Sequence, residues 1–370
     1  MPFARLIAVA LVVALGACSS TSTSDAVDPK TVGPAATFDA KHEITVKLPD
    51  GAKKARVWFA MPSHDASYQS VSEVKTEASA NVPWQIVHDS EGNRQLYAEV
   101  DAATKNVTIT QTFRIKRHEV LVAATPEASR PYTADELAAH AAHLTPNANV
   151  VIDDKIKALA AQICGTETNP VRKARLIYDW VLGDIEYWVK DPKNKKASPV
   201  GSSTYCLEQK CGNCTDFHSL WTAIARAAQI PTRIKYGSFF KKELDGQDAD
   251  QSYPCWPAFW APNLGWVPPD GAVADIFVGD FTPADEAGAK LVRLTTAAGY
   301  NGKDQKMVDW YFGNLDNRRV LWSIGRDLTL APKQDQGAVN ALPKAYVEVD
   351  GQIAKEKEVW TRKLTYKEVK

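Results

Sequence analysis

The residues best suited to chemistry lie in one segment, residues 205–237, around Cys214. Asn213 is a favourable N-cap residue and Asp216, three positions later, completes a capping-box pattern. A helix is therefore predicted to begin at Cys214 and to end before Pro231. A thiol in the first turn lies in the field of the helix dipole and near amide N–H groups without helical partners, which together stabilise a thiolate. The pattern predicts a nucleophilic cysteine, beside N–H groups that can also receive an oxyanion.

The other cysteines leave alternative interpretations open. Cys211 and Cys214 form a C-x-x-C pair, although the strand that precedes a thioredoxin-like redox pair is missing. Cys206, Cys211, Cys214 and Cys255 could supply four thiolates to zinc, but their spacing does not form two C-x-x-C units. The strongest alternative is a disulfide framework made by Cys164, Cys206, Cys211 and Cys255. That framework would leave Cys214 free.

The elements that must position Cys214 change character along the chain. Alternating apolar residues predict an antiparallel β domain over residues 40–125, with strands near 42–48, 55–61, 94–100 and 107–115. Helical spacing then appears at 133–144, 151–164 and 169–188. The predicted fold class is therefore α+β. An N-terminal antiparallel β domain precedes a domain at 126–370 in which the Cys214 helix packs on an antiparallel sheet.

The N-terminus predicts export and lipidation. Arg5 and the apolar stretch 6–15 form a signal peptide over residues 1–17, because ten apolar residues are too few to cross a bilayer, which needs about 20. Cys18 after Leu15-Gly16-Ala17 resembles the lipidation site of bacterial lipoproteins. Residues 18–39 are rich in Ser, Thr, Asp and Pro and predict a flexible linker. The expected location is the bacterial cell envelope, lipid-anchored at the outer membrane and facing the periplasm.

Charge and composition exclude several function classes. The 44 basic and 44 acidic residues balance, so the chain has no basic field to hold nucleic acid. The sequence contains no pattern typical of a nucleotide, flavin or metal site, and no cofactor is expected. Membrane contact is expected through the lipid anchor only.

Several motifs together resemble the core of the transglutaminase-like superfamily, bacterial relatives of transglutaminases and papain-like thiol enzymes. They are Gly212-x-Cys214-x-Asp216-Phe217, Arg226, Ile230-Pro231-Thr232-Arg233, Gly237, Cys255-Trp256 and Gly265-Trp266-Val267-Pro268-Pro269-Asp270. The resemblance extends through 311–314, 325–327 and 346–348. It implies a transglutaminase-like or papain-like domain with a C-terminal β extension.

The resemblance also implies a catalytic triad that is incomplete here. The family uses a helix-start cysteine, a histidine on the next strand and an aspartate on the strand after it. Cys214 matches the first and Asp270 the third, whereas the histidine position, two residues before Trp256, is Pro254. No histidine follows His218, which lies four positions after Cys214 on the same helix face. His218 is therefore a candidate substitute base, although a structural role is favoured.

Two functions follow. The first is an envelope lipoprotein with an impaired Cys-Pro-Asp site that binds a protein or peptide in the cleft where relatives bind substrate. The second is an active thiol hydrolase or acyltransferase, of transglutaminase or cysteine protease type, that acts on peptide amides through Cys214 with an unusual base. The substrate, the partner and the oligomeric state are not defined by the sequence.

Overall fold

The structure, a computed structural model, describes residues 32–65, 68–250, 254–283, 286, 290 and 302–370. The predicted signal peptide and Cys18 lie outside these residues. Within them, no helix is long and apolar enough to cross a membrane.

Two long strands organise the first sheet. Its strands are β1 (Val32–Lys47), β3 (Gln69–Ala78), β6 (Asn106–Leu121), β12 (Asn314–Leu315) and β16 (Trp360–Val369). The order is β12-β6-β1-β16, and β3 also pairs with β6. Because residues 32–39 belong to β1, the predicted linker 18–39 was wrong in its last eight residues. They are ordered by antiparallel pairing with β6 and, from Thr37 onward, with β16.

A second sheet packs against the first. Its strands are β2 (Lys54–Ala60), β4 (Trp84–His88), β5 (Arg94–Asp101), β14 (Ala345–Val349) and β15 (Gln352–Ile353), in the order β15-β14-β2-β5-β4. Alternate residues of both sheets, among them Ile44, Val57, Phe59, Leu96 and Ile109, share one apolar core. Alternation therefore predicted this β domain because one side of each strand is buried.

The C-terminal strands correct the predicted domain boundaries. β16 pairs with β1, and β14 pairs with β2. The last part of the chain therefore completes the sheets of the N-terminal β domain rather than extending the domain predicted over 126–370. Strands from the first and last parts of the described chain therefore form one β structure, and the segment between them in sequence forms the rest of the fold.

A helical layer and a third sheet surround Cys214. The helices are α1 (Ala134–Ala139), α2 (Asp154–Cys164), α3 (Pro170–Asp184), α4 (Ser203–Gln209), α5 (Cys214–Ala227), α6 (Gly271–Ala274) and α7 (Gln305–Trp310). The third sheet contains β9 (Thr232–Phe239), β10 (Cys255–Ala261), β11 (Gly265–Val267) and β13 (Arg319–Ile324), in the order β11-β10-β9-β13. Two short parallel strands, β7 (Glu186–Tyr187) and β8 (Cys211–Gly212), lead into α5.

Helix α5 is the centre of this layer. Phe217, Leu220, Trp221 and Ile224 are buried in a core shared with β9 and β10. Gly237 on β9 permits the close packing of the sheet, since a Cβ there would lie 2.3 Å from the Val320 carbonyl oxygen and 2.7 Å from the Trp256 ring. The predicted α+β class, with the Cys214 helix on an antiparallel sheet, is confirmed.

Candidate active site

The start of α5 has the predicted capping box. Asn213 Oδ1 accepts hydrogen bonds from the amides of Thr215 and Asp216 at 2.9 and 3.0 Å, and Asp216 Oδ2 accepts from the Asn213 amide at 2.9 Å. Cys214 is therefore the first residue of the helix. Because the box is made by side chains three positions apart, local sequence is enough to place the thiol in the first turn.

Asp216 also fixes the segment 198–202, which lies beside the helix start. Its buried carboxylate accepts from the Ser198 amide at 3.0 Å, from the Ser202 amide at 2.8 Å and from the Ser198 hydroxyl. Arg326 holds the same segment from the other side by donating to the carbonyl oxygens of Val200 and Gly201, each at 2.7 Å. The helix start is thus built on a rigid support.

This support makes Gly212 a sensitive position. A Cβ at Gly212 would lie 2.3 Å from Asp216 Cβ, and Asp216 cannot move without breaking its hydrogen bonds. Gly212→Ala is expected to lower the free energy of unfolding by about 1–3 kcal/mol through overpacking. The matched control is Gly183→Ala on α3, where no heavy atom lies within 4 Å. That change should raise stability by about 0.5–1 kcal/mol because alanine favours a helix. Urea titration measures both, and equal effects of the two changes would contradict the packing argument.

The Cys214 thiol is half-buried and contacts a second thiol. Cys255 on β10 hydrogen-bonds to Cys214 through its side chain and its amide. The Thr215 hydroxyl lies 3.9 Å from Cys214 Sγ and 3.5 Å from Cys255 Sγ. The hydrogen bond from the Cys255 side chain lowers the pKa of Cys214 most, burial opposes it, and the nearby His218 lowers it further, to about 6. Cys214 is a thiolate at neutral pH.

His218 lies behind Cys255 rather than beside Cys214. Its Nδ1 is 3.3 Å from Cys255 Sγ, and its Nε2 is 3.4 Å from Asp270 Oδ1 and 3.3 Å from the Ala272 amide nitrogen. The side chain is only 1% exposed. The two ring nitrogens therefore face Cys255 and the start of α6, and the order along the site is Cys214, Cys255, His218, Asp270.

Asp270 is the N-cap residue of α6 and is held as a carboxylate. Its Oδ1 accepts from the Val273 amide at 3.2 Å, and its Oδ2 lies 2.7 Å from Arg319 Nη1. Neither side chain of this ion pair is exposed. Burial raises the pKa of Asp270, but the charge of Arg319 and then the contact with His218 outweigh it and hold the pKa at about 2.

Comparison with known proteins identifies the domain that contains these residues. Residues 157–271 match the model of the transglutaminase-like superfamily. This chain contains a transglutaminase-like domain. Over its length it is similar to an uncharacterized protein of Haemophilus influenzae, with 25% identity over 378 residues and 94% of each chain covered. Its fold is similar to that of a "putative cysteine protease" from Cytophaga hutchinsonii, with 15% identity, 91% of this chain and 99% of that chain covered, and a TM-score of 0.53.

Position 254 of the transglutaminase-like domain does not reach the thiol in the described contacts. Pro254 precedes β10, and its carbonyl oxygen accepts from the Gly237 amide at 3.0 Å. The residue of β10 that contacts both Cys214 and His218 is Cys255. The structure thus brings three predicted residues, Cys214, His218 and Asp270, into one site and adds Cys255, which the sequence had left as a candidate for a disulfide framework or a zinc site.

The disulfide framework considered from the sequence is not formed in the structure. Cys164, Cys206, Cys211, Cys214 and Cys255 are all free thiols in the transglutaminase-like domain. Cys211 also does not join Cys214 as a redox pair, because its Sγ donates to the Lys196 carbonyl oxygen at 3.4 Å. Arg319 was missed altogether. No local motif marks it, since its partner Asp270 lies far away along the chain.

Proposed function

We propose that this protein is a lipid-anchored transglutaminase-like protein of the bacterial envelope whose amide turnover is impaired and which binds a protein or peptide. The observation that carries the proposal is the position of His218. Its Nδ1 is directed to Cys255 and its Nε2 to Asp270 and Ala272, so both ring nitrogens contact groups other than the Cys214 sulfur.

Acyl transfer from an amide has two chemical requirements at this site. The thiolate must attack the carbonyl carbon, and the departing nitrogen must receive a proton when the tetrahedral intermediate collapses. Cys214 meets the first requirement, because its pKa is about 6. The second needs a proton donor beside the thiol. Asp270 is held ionised with a pKa of about 2, and Pro254 carries no proton to give. Burial raises the pKa of the neighbouring Cys255 thiol well above its ordinary value, so Cys255 is a poor acid. Amine expulsion is the step that fails.

The test compares the wild-type chain with Cys214→Ala in amide hydrolysis and in incorporation of a primary amine into a glutamine-containing protein. The two rates are expected to agree within a few fold. A positioned acid–base contributes roughly 10²–10⁴-fold, so a wild-type rate roughly a thousandfold above the alanine variant would overturn the impaired site. Cys211→Ala, which removes a buried thiol directed away from Cys214, is the matched control.

A second candidate is an active thiol hydrolase or acyltransferase. It is favoured by the contact between His218 and Asp270, the last two members of a triad, on the same site as a thiolate. In that case Cys255 would pass a proton between His218 and the substrate nitrogen. Loss of most turnover in both His218→Gln and Cys255→Ala would select this candidate, whereas unchanged background turnover supports the impaired site.

The envelope location rests on Cys18, which lies outside the described residues. Cys18→Ser is expected to move the protein from the membrane fraction to a soluble fraction, because one cysteine carries the lipid. Labelling with radioactive palmitate measures the modification directly. Equal labelling of the wild type and the variant would contradict the anchor.

A further inference from the structure

The site contains two thiols, although nucleophilic attack needs only one. The Cys214 and Cys255 sulfurs lie 3.9 and 3.5 Å from the same hydroxyl oxygen, that of Thr215. Their accessibility differs. Cys214 is half-buried, whereas Cys255 is only 1% exposed. Of the two residues, Cys214 is therefore the more accessible to a small oxidant.

We propose that Cys214 and Cys255 form a redox modification site, in which a peroxide oxidises Cys214 and Cys255 then closes a reversible Cys214–Cys255 disulfide. Thiolate character and accessibility make Cys214 the target of the oxidant. Cys255 acts as the resolving thiol because it is in contact and shielded. The proposal goes beyond amide chemistry and applies whether or not the site turns over amides.

The steps balance as a two-electron oxidation. The Cys214 thiolate attacks one oxygen of hydrogen peroxide, so an S–O bond forms, the O–O bond breaks, and the departing hydroxide takes a proton from solvent and becomes water. The Cys255 sulfur then attacks the Cys214 sulfur, an S–S bond forms, the S–O bond breaks, and the sulfenic oxygen leaves as water with the proton of the Cys255 thiol. Two thiols are oxidised, and one peroxide is reduced to two waters.

The contacts of the thiols explain the choice of partner. Cys255 shares the Thr215 hydroxyl with Cys214, and His218 Nδ1 lies 3.3 Å from its Sγ. Cys211, the other thiol near in sequence, instead donates to the Lys196 carbonyl oxygen at 3.4 Å. The disulfide is therefore expected between residues 214 and 255 and not within the C-x-x-C pair.

The experiment treats the reduced full chain with hydrogen peroxide, alkylates the remaining thiols and maps the peptides by mass spectrometry. The expected product links the Cys214 and Cys255 peptides with loss of two hydrogens, returns to two thiols with dithiothreitol, and leaves Cys164, Cys206 and Cys211 alkylated. In Cys255→Ser the sulfenic acid at Cys214 should persist and be trapped by dimedone, whereas Cys211→Ser, the matched control, should behave as the wild type.

Two results would overturn the proposal. One is a Cys255 that is still alkylated after Cys214 has been oxidised, and the other is a link between Cys211 and Cys214. The peptide map of the oxidised wild-type chain would reveal either result, even if Cys255→Ser fails to fold. The peptide map is independent of the amide assay, because it counts thiols and measures no turnover. If the disulfide forms and amide turnover is also high, only the proposed function is refuted.

Discussion

Arg319→Met is expected to lower the free energy of unfolding by about 3–5 kcal/mol, because it leaves the buried Asp270 carboxylate without its cation. The pair is 2.7 Å apart with neither side chain exposed, and Arg319 Nε is also 3.2 Å from Asp316 Oδ2. Methionine fills much of the same volume, so the loss of stability reflects the missing charge more than a cavity. Urea titration followed by circular dichroism measures it.

The control for Arg319 is an exposed ion pair. Arg114 contacts Asp39 at 2.6 Å with side chains 38% and 50% exposed, and Arg114→Met should cost far less stability than Arg319→Met because solvent screens the exposed pair. The double variant Arg319→Met with Asp270→Asn should recover part of the loss, since the unpaired charge at position 270 is removed. Equal costs for Arg319→Met and Arg114→Met would refute the argument.

The Asp270 ion pair also has a pH dependence of defined sign. The pKa of Asp270 in the folded protein, about 2, is below the ordinary value of about 3.9 in an unfolded chain. Its contribution to stability is therefore complete above pH about 4, declines as the pH falls below that value, and is lost below about 2. In Arg319→Met this acid-dependent part should shrink.

Iodoacetamide is expected to react mainly with Cys214 at neutral pH. With a pKa of about 6, Cys214 is a thiolate at pH 7. An ordinary thiol with a pKa of about 8.5 has only about 3% thiolate there. Burial raises the pKa of Cys164, Cys206 and Cys255. The alkylation rate at pH 7 should therefore fall at least about thirtyfold in Cys214→Ser.

The pH profile of this alkylation tests the cause of the low pKa. The rate should fall about tenfold from pH 7 to pH 5 and change little above pH 7. Cys255→Ala removes the hydrogen bond that lowers the Cys214 pKa most, so the midpoint should rise. Cys206→Ala, which removes another buried thiol, should leave the midpoint of the pH profile unchanged. A midpoint near 8.5 in the wild type would contradict the thiolate.

Peptide binding can be tested with a peptidyl chloromethyl ketone. If its alkylation rate saturates with concentration, the peptide binds before it reacts.

Separate features of the site thus account for the two properties proposed for it. Nucleophilicity comes from the helix start and from Cys255, which stabilise the Cys214 thiolate. Impaired turnover comes from the position of His218, whose ring nitrogens are directed to other groups. A reactive thiol whose nearby histidine is directed to other groups suits capture and redox chemistry better than repeated amide cleavage.

Much of this protein followed from its sequence alone, because the determining interactions are local. Asn213 and Asp216 are three residues apart, and that spacing fixes both the start of α5 and the place of Cys214. Strand alternation predicted β1, β2, β5 and β6, since one face of each strand packs in a core. The motifs around Cys214 identified the transglutaminase-like domain without any structural information.

Only the tertiary structure decided which residues meet at the thiol and how the sheets close. Cys255 contacts Cys214 because β10 begins at residue 255, and a shift of one residue would turn the opposite face to α5. Arg319 reaches Asp270 through strand pairing of β13 with β9, and β16 orders residues 37–46 by pairing with β1 from the other end of the chain. Such contacts join distant segments, and a strand's own pattern states which face is buried but not which strand lies beside it.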